Sequence, residues 1–168
     1  MEVRAGYKQT DLGVMPDQWE PIAAAEIVDV HAPICYGVVQ VGQDTNGGVP
    51  IVAIKYVKEI ASAPLHRTAV ALEQPYARSR IKGGDVLISI KGTIGRVGVV
   101  PTGFEGNISR ELARLRPREG YSAEYIGQQL EADATQARIS RAVVGTTRLE
   151  FSIATLRKFE IPVPNSLT

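Results

Sequence analysis

Hydrophobic positions follow their most regular pattern in residues 83–117, GGDVLISIKGTIGRVGVVPTGFEGNISRELARLRP. Val86, Ile88 and Ile90 alternate with Leu87, Ser89 and Lys91, as in a strand buried on one face and partly on the other. Gly92 and Gly95 bracket a turn, KGTIGR, with Lys91 and Arg96 at its ends. A second strand follows over 96–100, closed by Pro101. A third, ELARLR over 111–116, sets Ala113 and Leu115 opposite Arg114 and Arg116. The three segments predict an antiparallel meander with a Val/Ile-rich core, cationic rims and arginines along its exposed face.

The flanking sequence is less periodic. Residues 6–22 read as irregular, punctuated by Gly13, Pro16 and Pro21, with a turn at Pro16-Asp17 and Trp19 anchoring the segment to the core. Residues 23–30 fit a short helix or a buried strand equally. A short strand is expected over 38–41, and Gln43-Asp44-Thr45-Asn46-Gly47-Gly48 is a turn signal. IVAIKYV, 51–57, reads as a strand with Ile51, Ala53, Lys55 and Val57 on one face. Residues 58–82 are irregular and basic, and long irregular stretches in compact domains commonly carry function. Ser122 predicts a helix N-cap, with Glu124 in the first turn. Ile126, Leu130, Ala134 and Ala137 then form one apolar stripe of a helix over 122–142, with Gly145 ending the helical region. Gly145-Thr146-Thr147-Arg148 is a loop, and 159–163 a last strand stopped by Pro162 and Pro164. The expected fold is α+β: a twisted, mostly antiparallel sheet, partly barrel-like, with the 122–142 helix packed on it.

Composition narrows the class. With 168 residues, 44% of them hydrophobic and 22% charged, the chain fits one soluble globular domain. No apolar run approaches the ~20 residues of a membrane span, and the N-terminus lacks the apolar core of a secretory signal. A lone cysteine, Cys35, rules out an internal disulfide framework and fits a reducing cytoplasm. The net charge of +1 is uninformative, but its distribution is not. Residues 1–50 carry two basic and seven acidic side chains, residues 51–118 twelve and five, and residues 119–168 five and six. A middle segment at +7 predicts a localised anion-binding face, although solvated strand faces also carry arginine.

Catalytic signatures are missing. There is no H-E-x-x-H pair, and His31 with Cys35 lacks the further ligands of a zinc site. No G-x-S-x-G elbow or Walker A loop occurs, and Ser109 has only His31 and His66 as candidate partners. The D/N-P-P-Y signature of amino-methyltransferases is missing as well. Gly92-Thr93-Ile94-Gly95 matches the G-x-x-G loop with which KH domains clamp a nucleic-acid backbone, but that loop joins two helices. Here β-type residues flank it on both sides, which favours a hairpin.

Four blocks in order carry a family resemblance. GYKQTDLGVMPDQWE, GGDVLISIKGTIGRVGVVP, NISRELARLRP and GTTRLEFSIATLRKFEIPVP together resemble the target recognition domains of type I restriction–modification specificity subunits, over residues 6–164. The resemblance implies a DNA-reading module whose function is sequence-specific binding of one half of a bipartite double-stranded target. It implies as partners the modification subunits, which methylate adenine with S-adenosylmethionine, and in a full complex the restriction subunits. No cofactor is expected on this chain. Residues 1–168 would be a single target recognition domain, with 1–22 leading in. The sequence departs from the family at 165–168, where a long coiled-coil spacer helix would continue. That departure is expected of a single-domain fragment or of a natural half-subunit.

The DNA face is expected from the loops spanning 67–82 and 91–96. It would use Arg67, Arg78, Arg80, Lys82, Lys91, Thr93 and Arg96, extended by Arg110, Arg141 and Arg148. In an extended 78–82 segment, Arg78, Arg80 and Lys82 would share one side. Two rival classes remain: a protein-interaction module without its own DNA readout, and a small enzyme with an unrecognised site.

Overall fold

In the computed structural model, residues 2–164 are described; the sequence end at 165–168, where the spacer departure falls, lies outside them. The chain opens with a hairpin, β1 (Tyr7–Thr10) and β2 (Gly13–Pro16), then β3 (Trp19–Ala23) and a short helix α1 (Ala24–Ile27). Residues 6–22 are thus largely strand, not irregular. Their prolines lie in two-stranded ribbons, where half of the backbone groups face outward and a missing N–H need not cost a ladder bond. Trp19 anchors as expected, meeting Tyr125 edge-on with ring centres 5.9 Å apart.

β4 (Cys35–Tyr36) and β5 (Val49–Val52) follow. The strand expected over 38–41 does not form; Val38 makes only an isolated bridge to Ser109. The strand expected through Val57 stops at Val52, and Ile54–Tyr56 turn into a 3-10 helix. That turn brings Val57 against β-sheet residues from the side, so the alternation over 51–57 has no strand to describe. β6 (His66–Thr68), α2 (Val70–Glu73), a 3-10 stretch (Gln74–Ser79) and β7 (Ile81–Lys82) give 58–82 more regular structure than expected.

β8 (Val86–Ser89), β9 (Val97–Val99), β10 (Glu105–Ile108) and β11 (Leu112–Leu115) complete two four-stranded sheets. One runs β6-β5-β10-β7 and is parallel only between β5 and β10; the other runs β4-β11-β8-β9 and is antiparallel throughout. The central segment is therefore not a meander. β10 leaves for the other sheet, so β11 returns to the far side of β8. With β8 in the middle, both of its faces are covered. Val86, Ile88 and Ile90 enter one core together with Ala113 and Leu115, while Leu87 enters a second with Leu112, Val52 and Ile108. Each of the valine, leucine and isoleucine side chains stabilises the fold by about 1.5–3 kcal/mol on burial. The second core removes the exposed face on which Arg114 and Arg116 were expected. Arg114 faces Leu87 across the ladder and is 2% exposed.

The helix expected over 122–142 is two helices, α3 (Ala123–Glu131) and α4 (Asp133–Ala142). Ser122 caps α3 by accepting from the Tyr125 amide at 3.2 Å, as its position predicts. Ala132, at φ −59° and ψ 141°, is extended and resets the phase. The apolar stripe therefore continues through Thr135 and Ile139, leaving Ala134 and Ala137 exposed. α4 ends at Ala142, short of Gly145. α5 (Ile153–Lys158), capped by Ser152, leads into β12 (Glu160–Pro164), which pairs with β3. Pro162 and Pro164 lie within β12. The Pro162 carbonyl accepts from the Tyr125 hydroxyl at 2.7 Å, so that residue turns its backbone away from β3 and forfeits no ladder bond.

Candidate nucleic-acid interface

Cations gather where β8 ends. The β8–β9 connection reverses through Gly92 (φ +70°) and Gly95 (φ +92°), conformations that favour glycine. Ser89 closes the turn: its hydroxyl donates to the Thr93 carbonyl and accepts from the Arg96 amide at 2.9 Å. α4 supports it through Gln136, which donates to the Gly95 carbonyl at 2.9 Å. Lys91 and Arg96 thus flank an exposed Thr93 at one sheet end. Residues 144–150 fold back beside it, with Glu150 bridging both Lys91 and Val144, which brings the exposed Arg148 to this end. Arg110 lies just before β11, where the Glu111 carbonyl accepts from the Ile90 amide at 2.8 Å. Arg141 lies exposed in the last turn of α4.

Two carboxylates temper this charge. Lys91 Nζ is 3.9 Å from Glu150, and Arg110 Nε is 3.6 Å from Glu111. Both are solvated pairs, worth at most about 1 kcal/mol and readily exchanged for an anionic ligand. Arg78, Arg96, Arg141 and Arg148 have no ion-pair partner among the described residues.

Arg78 joins this end through Tyr36. The half-exposed Tyr36 ring has the Arg78 guanidinium 5.5 Å from its centre and the Lys91 ammonium at 5.8 Å, distances at which a cation is drawn to the ring face. Arg78, Arg80 and Lys82 do not share one side, because residues 74–79 form a 3-10 helix instead of a strand. Arg80 turns back to grip Glu73, with Nη2–Oε1 at 2.7 Å and Nε–Oε2 at 2.9 Å. The fully buried Glu73 carboxyl is held below its ordinary pKa by that hydrogen bond, despite desolvation.

Arg67, Arg80 and Lys82 lie apart, towards the start of β8. Arg67 donates to the Gly48 carbonyl at 3.1 Å, and a surface recess joins Gly48 to Arg80, Lys82 and Arg116. Arg116 does not extend the cationic charge. It forks onto buried Asp85 at 2.8 and 2.9 Å, which holds the guanidinium in its charged form. The expected single face is therefore two clusters, at opposite ends of β8.

Sequence reasoning missed the residues that hold this arrangement. Arg114 Nη1 donates to the Arg78 and Arg80 carbonyls at 2.6 and 3.0 Å, and Nη2 to that of Pro33 at 2.8 Å. Asn107 donates to Glu73 at 2.8 Å and to the Tyr76 carbonyl at 3.0 Å. For Arg114 the available signal was a charged residue in an otherwise apolar strand, LARL; Asn107, in EGNI, carried no such signal. No cluster of three or more His, Cys, Asp or Glu side chains that could hold a metal ion occurs among the described residues.

Residues 16–167 match the type I restriction modification DNA specificity domain. The chain belongs to that family. Its specificity domain is 25% identical, over 155 residues, to the type I restriction enzyme EcoBI specificity subunit of Escherichia coli, covering 90% of this chain and 33% of that one. The fold recurs in the HsdS subunit of Thermoanaerobacter tengcongensis, at 20% identity and TM-score 0.60, over 95% of this chain and 36% of that one. It recurs again in the type I system S subunit of M. genitalium, at 11% identity and TM-score 0.54, over 98% and 37%. The specificity domain thus spans about a third of the length of the relatives it matches. Family membership assigns it to DNA specificity. No helix among the described residues is long and apolar enough to cross a membrane.

Proposed function

We propose that this specificity domain binds double-stranded DNA and reads one half of a bipartite target, with residues 1–168 acting as one target recognition domain. The observation that carries the reading is the convergence of Lys91, Arg96, Arg110 and Arg148 on the end of β8, in a chain of the DNA-specificity family. These side chains would meet phosphates and set the register, with Thr93 between them adding a hydroxyl contact. Arg141 would extend the track. Arg67, Arg80 and Lys82 would contact DNA only if the duplex reaches the start of β8.

The modification subunits, and in a full complex the restriction subunits, would be the protein partners, in the cytoplasm. S-adenosylmethionine would be held by the modification subunit and not by this chain.

Fluorescence anisotropy with a mixed-sequence duplex across a salt series tests the reading. Four phosphate contacts give a slope of log K against log [salt] near about −3.6. Salt-independent binding, or none at low salt, would overturn it in favour of a protein-docking module.

A further inference from the structure

One surface segment is held far more firmly than a connection between strands requires. From Val70 to Arg80 the chain is exposed except at Glu73 and Ser79, which are fully buried, and Tyr76, which is half-buried. Beneath it lies a network of buried polar side chains. Asn107 donates to Glu73 and the Tyr76 carbonyl, Ser79 donates to Asn107 at 2.8 Å, and Arg114 ties down the carbonyls of Arg78 and Arg80. Burying four polar side chains carries a desolvation cost that an ordinary loop avoids. What it achieves here is a fixed backbone under exposed side chains, which is the condition for reading a geometric pattern.

The outward chemistry fits base edges better than phosphates alone. The segment's only acid, Glu73, is buried and neutralised by Arg80, so its outer surface carries no negative charge. Arg78 stands exposed between the Tyr36 and Tyr76 rings, which orient its planar fork. Gln74 is exposed one turn earlier, and Val70 and Leu72 are 57% and 45% exposed. Arginine forks match guanine, glutamine matches adenine, and small apolar groups meet the thymine methyl.

We propose that the Val70–Arg80 segment is the base-reading element of this domain, with Arg78 its principal specificity residue and Glu73, Asn107 and Arg114 positioning it. The inference rests on the DNA-reading function above. It assigns sequence discrimination to this segment and phosphate contact to the turn at Lys91–Arg96.

Selection from duplexes with a randomised core, using wild type, Arg78→Ala, Arg78→Lys and Arg96→Ala, tests it. Wild type should enrich one short motif. Arg78→Ala should weaken preference at one base-pair position about 10- to 100-fold while still binding mixed-sequence duplex. Arg78→Lys, which keeps the charge and loses the fork, should fail at the same position. Arg96→Ala should weaken all sequences alike. An Arg78→Ala variant that enriches the wild-type motif unchanged, or that loses all sequences equally, overturns the assignment; the first of these results is the one a protein-docking segment would give. Wild type that binds duplex without enriching any motif overturns the DNA-reading function itself.

Discussion

The guanidinium of Arg114, buried within β11, donates to the backbone carbonyl of Arg78 at 2.6 Å, and so a core residue sets the position of a surface one. The arginine spends two further bonds on the Arg80 and Pro33 carbonyls. Burial lowers its pKa, and no carboxylate forms an ion pair with it among the described residues. Arg114→Ala leaves three carbonyls facing a cavity and should cost about 3 kcal/mol. Arg114→Lys cannot span all three and should fall between that variant and wild type. Urea midpoints at constant m-value measure both.

Glu73 makes the same segment acid-sensitive. Its carboxyl titrates below the ordinary value of 4.5 in the folded chain because Arg80 hydrogen-bonds the ionised form. The unfolded chain therefore takes up this proton first as pH falls. The stabilisation is complete above pH 4.5 and is withdrawn below it, down to the folded-state pKa. Wild type should lose stability in that window more steeply than Glu73→Gln, which has no charge to lose. Melting curves across the acid range compare the two, and parallel profiles would count against the pairing.

The turn at the end of β8 should tolerate no side chain at Gly95. A Cβ there would stand 2.6 Å from Gln136 Oε1 and would need φ near +92°. Gly95→Ala should destabilise by about 1–2 kcal/mol from backbone strain. Because Gln136 would have to release the turn, DNA affinity should drop together with stability. Thermal unfolding and anisotropy on the same preparation check the coupling.

Individual phosphate contacts can be counted. Lys91→Ala and Arg96→Ala should each lower the magnitude of the salt slope by about one, with little effect on sequence preference. Lys82→Ala, at the other end of β8, should change the slope less. An equal loss from Lys82→Ala would place the duplex across both clusters.

The strands of the central segment were legible because strict alternation at Val86, Ile88 and Ile90 is a local signal. Their order was not, since the crossover of β10 into the other sheet depends on pairings distant in sequence. The same gap misplaced Arg114 and Arg116: alternation identifies which residues share a face, but not whether a second core covers that face. Ala132 broke the helix although alanine is the strongest helix former, an instance of tertiary packing overriding propensity. Lys91, Thr93 and Arg96 were found together because the turn between them is short. Tyr36, 55 residues before Lys91 in the chain, shares their site only through β4 pairing with β11. The α5 helix escaped notice although Ser152 and Thr155 carry a capping signature, with the Thr155 amide donating to Ser152 Oγ at 3.1 Å.

The central claim is that this chain alone discriminates among DNA sequences. Its most direct measure is the ratio of wild-type affinities for the duplex best enriched from a randomised core and for a mixed-sequence duplex of equal length, at one fixed salt concentration. A base-reading domain should give a ratio of about 10³ or more. A ratio near one, with salt-dependent binding intact, would mean that the cationic end of β8 holds DNA without reading it.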